Sequence, residues 1–186
     1  SYIFDVVNIG RQVLGNYFLE VRNEFTTAYE KKDEKEALRK GLEMLDILSD
    51  LDLLLSCHST FSFGRWIRDA EFFGKDAAEK EYYKKNARTL LTTWGERGQS
   101  LNDYANRSWA GLTKSYYTPR WQAFVNDVCK AMANGQEFNE KEFHEKMLNM
   151  EADWMEHDFM SSDEPRKDGI EIAFSLMTKY KVQIMR

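Results

Sequence analysis

The chain has 186 residues, 42% of them hydrophobic and 31% charged, with a formal net charge of −5. That size and balance fit one folded domain spanning residues 1–186 and exclude a disordered chain. The acidic charge excludes a protein that grips nucleic-acid phosphates, because that grip needs clustered Lys and Arg, and Lys31-Lys32 and Lys84-Lys85 stand among acids.

Only Pro119 and Pro165 interrupt the chain, and β-branched runs of period two are absent, so the expected fold is all-α. The first helix is expected over about residues 3–31, where Val7, Leu14, Phe18, Val21 and Phe25 keep helical phase. Val6, Val13 and Tyr17 widen that stripe enough to meet more than one neighbour. No signal-peptide pattern opens the chain, and Tyr2 to Leu14 already reads as helix interior, as expected of a piece cut from a longer polypeptide. Asp33 and Glu36 form a capping box. The helix it opens carries Leu38, Leu42, Leu45, Leu48, Leu51 and Leu55 as its expected core face. A third segment runs from Phe61 to Phe73 and ends at Gly74; Asp76 and Glu79 then box the start of a helix reaching about Thr92.

Gly95 and Gly98 mark the loop that follows. Asn102 or Asp103 can cap a helix running to about Tyr117. Pro119 suits the first turn of another helix, placing Tyr117 and Arg120 at a helix–helix corner. That helix presents Trp121, Phe124, Val125, Val128 and Met132 and stops at Gly135. Asn139 and Glu142 box a helix lined by Phe143, Met147, Met150 and Trp154. After the polar break around Pro165, a last helix starts near Asp168 with Ile172, Ala173, Leu176 and Tyr180. The result is a bundle-like array of about eight helices. No apolar run approaches the ~20 residues of a membrane span.

Chemistry-bearing motifs are few. His58, His144 and His157 lack the Glu-x-x-His spacing of di-iron bundles. The pairs Glu140/His144 and Asp153/His157 fit surface pairing, so neither metal nor cofactor is expected. Cys57 and Cys129 cannot build a disulfide framework. Cys129, beside Val125 and Met132, reads as a small hydrophobe. Most of the 31 acids sit in first turns or on charged faces. Asp103 differs, since Tyr104, Asn106 and Trp109 are not typical surface neighbours; a cap and a site role both suit it.

The stretch Trp94 to Trp121 carries three of the five tryptophans together with Asp103, Asn106, Arg107 and Arg120. Trp109, Leu112 and Tyr116 could pack as core by their spacing, as could Trp121 and Phe124. Trp94 instead ends a helix ahead of a glycine loop, where an indole can be presented to a ligand. Aromatic faces stack on the C–H face of a pyranose, while amide, carboxylate and guanidinium groups take hydroxyls. The same segment could also serve a helical interaction module with no carbohydrate role.

D-Y-A-N-R-x-W-A-G-L (Asp103 to Leu112) followed by Y-Y-x-P-R-W (Tyr116 to Trp121) resembles the C-terminal helical domain of the α-N-acetylglucosaminidases, glycoside hydrolase family 89. D-V-V-N-I-G-R-Q-V-L (Asp5 to Leu14), F-G-R-W-I-R-D-A (Phe63 to Ala70) and N-A-R-T-L-L-T-T-W-G (Asn86 to Gly95) add to the resemblance, which spans about residues 2–135. It implies a retaining exo-glycosidase for terminal α-linked N-acetylglucosamine whose two catalytic glutamates belong to a (β/α)8 barrel outside this chain. The helical domain then packs on the barrel and walls the pocket, and the chain alone is inactive. The resemblance also implies a secreted, periplasmic or lysosomal setting. On it, Trp94, Asp103, Tyr104 and Asn106 are expected at the pocket wall, and Arg65, Trp66, Trp109, Tyr117 and Arg120 as supports or domain interface.

Overall fold

A computed structural model describes residues 2–98, 102, 103, 105–157 and 164–184. Its described residues form seven α-helices and no strand: α1 (Tyr2–Glu30), α2 (Glu34–Leu55), α3 (Phe63–Glu71), α4 (Ala77–Thr89), α5 (Thr118–Ala133), α6 (Glu140–Glu156) and α7 (Gly169–Ile184). A 3₁₀ turn, Ser59–Phe61, precedes α3, and a π turn, Thr113–Tyr117, runs straight into α5. No described helix is long and apolar enough to cross a membrane.

The N-cap bond of each of the three expected capping boxes forms. Asp33, Asp76 and Asn139 accept the main-chain N–H of Glu36, Glu79 and Glu142 through their side chains, satisfying donors that a helix start leaves open. The long helices α1 and α2 pair antiparallel. Val7, Leu14, Val21 and Ala28 recur at seven-residue steps along the buried face of α1, the spacing of a straight seam between two helices. At Gly41 of α2 a side chain would run into Val125, so the absent Cβ lets α5 approach. Lys40 pairs with Glu24 and Glu43, and Tyr17 bonds Glu43, tying α1 to α2 in the middle. α7 lies across both, with Lys179 reaching Asp46 and Asp50 of α2 at 2.6 Å each.

Two apolar clusters result. The larger joins α1, α2, α5 and α7 around residues such as Phe25, Met44, Leu55, Val125 and Tyr180. The smaller gathers Phe63, Leu91, Leu112, Tyr116 and Trp154, with Trp66, Trp109 and Tyr117 packed on it. Both cysteines are free, and burial pushes the Cys57 thiol up to about 11.

Three expectations are corrected. The core face of α2 is Ala37, Lys40, Gly41, Met44, Ile47, Leu48, Leu51, Leu54 and Leu55, while Leu38 and Leu42 are exposed. Small residues at Ala37 and Gly41, where helices must come close, decide the buried side at this end. The expected helix from Asn102 or Asp103 to Tyr117 is also absent. Asp103 and Gly111 take left-handed backbone at φ 57° and 85°, residues 106–109 carry no regular structure, and Ala110 bridges to Ser62 in parallel. Helical backbone starts only at Leu112. Finally, Tyr117 and Arg120 occupy no corner. Tyr117 has helical φ/ψ of −74° and −43°, and the π turn absorbs Pro119, which has no N–H to donate.

Candidate functional site

The described residues between Trp94 and Gly111 form no helix and are fastened to α4, α5 and α6. At the start of this loop Trp94 donates to the carbonyl of Thr89 across 2.9 Å while holding φ at 56°. Left-handed backbone is costly for a residue with a side chain, yet the indole here stays 41% exposed. The loop then crosses α6, where Arg97 bonds Asn149 and Asn102 donates to Glu151 Oε2 at 2.6 Å. Asp103 N closes back onto the carbonyl of Thr92 at 2.7 Å.

Asp103 anchors the far side. Arg120 Nη1 donates to both its oxygens, at 2.9 and 2.7 Å, and Tyr116 Oη approaches Oδ1 at 2.9 Å. Tyr116 Oη also lies 2.9 Å from Glu151 Oε1. The guanidinium of Arg120 sits 4.7 Å over the Tyr116 ring, a cation–π contact that the i,i+4 spacing provides. The Tyr116 hydroxyl thus points between two carboxyl groups that compete for its one proton. Burial lifts the Glu151 carboxyl above its ordinary range, and the bonds from Tyr116 and Asn102 offset this only in part.

Asp52 supplies the helix start that Asn102 and Asp103 do not. Its Oδ1 accepts the N–H of Gly111 at 2.8 Å and of Lys114 at 3.0 Å, so a carboxylate from α2 caps the helix beginning at Leu112. Burial nonetheless holds the Asp52 carboxyl above its usual value, with the two N–H bonds opposing.

A cleft of about 920 Å³ opens between α1, the 103–108 segment and α5. Asp103, Asn106, Tyr117 and Arg120 line it together with Arg11, Arg107 and Trp121. Trp94 lies outside the lining, and Tyr104 lies outside the described residues. Trp66 and Trp109 pack with ring centres 5.6 Å apart and planes tilted by 46°, and Trp66 Nε1 donates to the carbonyl of Ala87, so this pair braces the loop from behind. Arg65 is exposed and meets Asp69 at 3.6 Å. Among the described residues no group of three or more His, Cys, Asp or Glu is placed to hold a metal ion.

Glu151 and Asp52 were not singled out from the sequence. Glu151 falls in phase with Met147 and Trp154, and Asp52 with Leu48 and Leu55. A carboxylate on a buried stripe was the available signal.

Comparison with known proteins places this architecture. The family described as the alpha-N-acetylglucosaminidase (NAGLU) C-terminal domain matches residues 1–179. Human alpha-N-acetylglucosaminidase is 30% identical over 181 residues, covering 97% of this chain and 24% of that protein. A Clostridium perfringens protein in complex with its substrate GlcNAc-α-1,4-galactose superposes with a TM-score of 0.86 at 28% identity, covering 98% of this chain and 22% of that one. A family 89 glycoside hydrolase from the same organism, in complex with 2-acetamido-1,2-dideoxynojirmycin, gives 0.86 at 29%, covering 96% and 21%. The chain thus spans about a quarter or less of the relatives it matches. With the motifs, the helical order and the loop all accounted for, the chain belongs to the family of α-N-acetylglucosaminidase C-terminal domains.

Proposed function

We propose that this chain is the helical part of a retaining exo-α-N-acetylglucosaminidase. It packs on a (β/α)8 barrel that holds the two catalytic carboxylates, and its Trp94 loop walls the pocket for terminal α-linked N-acetylglucosamine. The observation that carries the reading is Trp94 itself: an indole kept 41% exposed on left-handed backbone, at the head of a loop fastened to α4, α5 and α6. A large aromatic held at that conformational cost suits use as a stacking face for a sugar ring.

The loop then divides its work. Trp94 faces the sugar. Asp103, engaged by Arg120 and Tyr116, acts as the anchor that fixes the loop, and Asn106 stands exposed at the rim of the cleft. Fixing geometry this way lowers the barrier only if the acid and nucleophile are supplied from elsewhere. Retaining cleavage needs two carboxyl groups ~5–5.5 Å apart flanking the scissile bond. The carboxylates built into this fold, Asp52, Asp103 and Glu151, already take hydrogen bonds that hold helices and loop in place.

The test is turnover. The 186-residue chain is expected not to hydrolyse an α-N-acetylglucosaminide, whereas the whole polypeptide is expected to do so. Turnover by the chain alone, lost on mutating one of its own acids, contradicts the proposal.

A further inference from the structure

The cleft between α1 and α5 carries an imbalance that nothing among the described residues resolves. Arg11, Arg107 and Arg120 line it against the single carboxylate of Asp103, in a chain whose net charge is −5. Asp103 is taken by Arg120. Among the described residues Arg11 reaches only the side-chain carbonyl of Asn8, and its Nε is buried without a hydrogen bond. Among the described residues the exposed Arg107 guanidinium bonds only the main-chain carbonyl of Asn106. A buried donor left unmade costs ~1–3 kcal/mol, so these groups point to an acceptor that arrives from outside.

Beside them, α1 presents Ile9, Gln12, Asn16 and Leu19 along one exposed stripe, with Ile9 65% and Leu19 48% exposed. A small free anion would satisfy the guanidiniums and leave that apolar edge in water. A protein segment covers both, and more than three quarters of each matched relative lies outside the part this chain covers.

We propose that this cleft seats a segment from the rest of the polypeptide that presents an Asp or Glu carboxylate to Arg11 and Arg107 and apolar side chains to Ile9 and Leu19. This rests on the domain-packing part of the reading above. It gives the helical domain a charged seat on the barrel side, distinct from the Trp94 face.

The test labels the native whole polypeptide with an arginine-specific dicarbonyl and reads each site by mass spectrometry. Arg39 is the reference, with an exposed side chain already paired to Glu36. A seated carboxylate makes Arg107 react at least about tenfold more slowly than Arg39. Arg107 reacting as fast as Arg39 overturns the proposal. So does protection that appears only after inorganic phosphate or N-acetylglucosamine is added, because the cleft would then take a soluble ligand. As a second measurement, Arg107→Glu should lower the melting temperature of the whole polypeptide more than Lys141→Glu on the exposed side of α6; equal shifts overturn it. Hydrolysis by the same preparation is read separately. Activity with fast Arg107 sinks the seat alone, and no activity with slow Arg107 sinks the glycosidase reading while the seat stands.

Discussion

Glu151 shows how one side chain ties the loop to the scaffold. It is 2% exposed, bonded to Tyr116 and Asn102, and faces Asp103 and Arg120 across the Tyr116 ring. Its raised pKa means that the folded state favours the neutral form. The stabilisation is therefore full below the ordinary glutamate value of ~4.3 and fades as pH rises through the higher folded value. Glu151→Gln keeps a donor and an acceptor at every pH. It should flatten the loss of thermal stability with rising pH, as melting curves across pH would record; an unchanged pH profile contradicts the upward shift of the Glu151 carboxyl. Asp103→Ala removes the partner of a partly buried guanidinium and should cost about 2 kcal/mol in chemical denaturation. The residue type at 103 was informative in the sequence, but its role was not. Tyr116 and Arg120 converge on it through a fold that sequence spacing does not reveal.

Elements with local signals were readable from the sequence, and those set by distant contacts were not. Three capping boxes placed the starts of α2, α4 and α6, because a cap satisfies N–H groups only three residues away. The helix start at Leu112 has its cap in Asp52, 59 residues before Gly111 along the chain, and no local pattern announces it. Asp52→Ala should cost about 1–2 kcal/mol by freeing two N–H groups, and hydrogen exchange at Gly111 and Lys114 should rise with it. The face of α2 was misjudged for a related reason. Leucine spacing marks apolar positions, but the close approach of Phe25 and Val125 to Gly41 selects which of them are buried. Gly41→Ala tests this, with an expected destabilisation of about 1–3 kcal/mol from overpacking against stiff Val125; a neutral or stabilising result contradicts it.

Across the molecule, the fold is a platform. α1, α2, α5 and α7 form the larger core, α6 carries bonds to the loop, and the loop holds Trp94 outward. The all-α class followed from the absence of strand periodicity, and the family from two unusual motifs. The use of α6 as the loop's support did not follow, since its bonds to Arg97 and Asn102 join residues 52 and 49 positions apart. The measurement that bears most directly on a pocket role is Trp94→Ala in the whole polypeptide, with kinetics and melting read together. Loss of a sugar-stacking face predicts a fall in kcat/KM of about 10- to 100-fold, on the order of 1.4–2.7 kcal/mol, with the fold retained. Unchanged kcat/KM, with stability lower by about 3–5 kcal/mol as for a buried tryptophan, would contradict it.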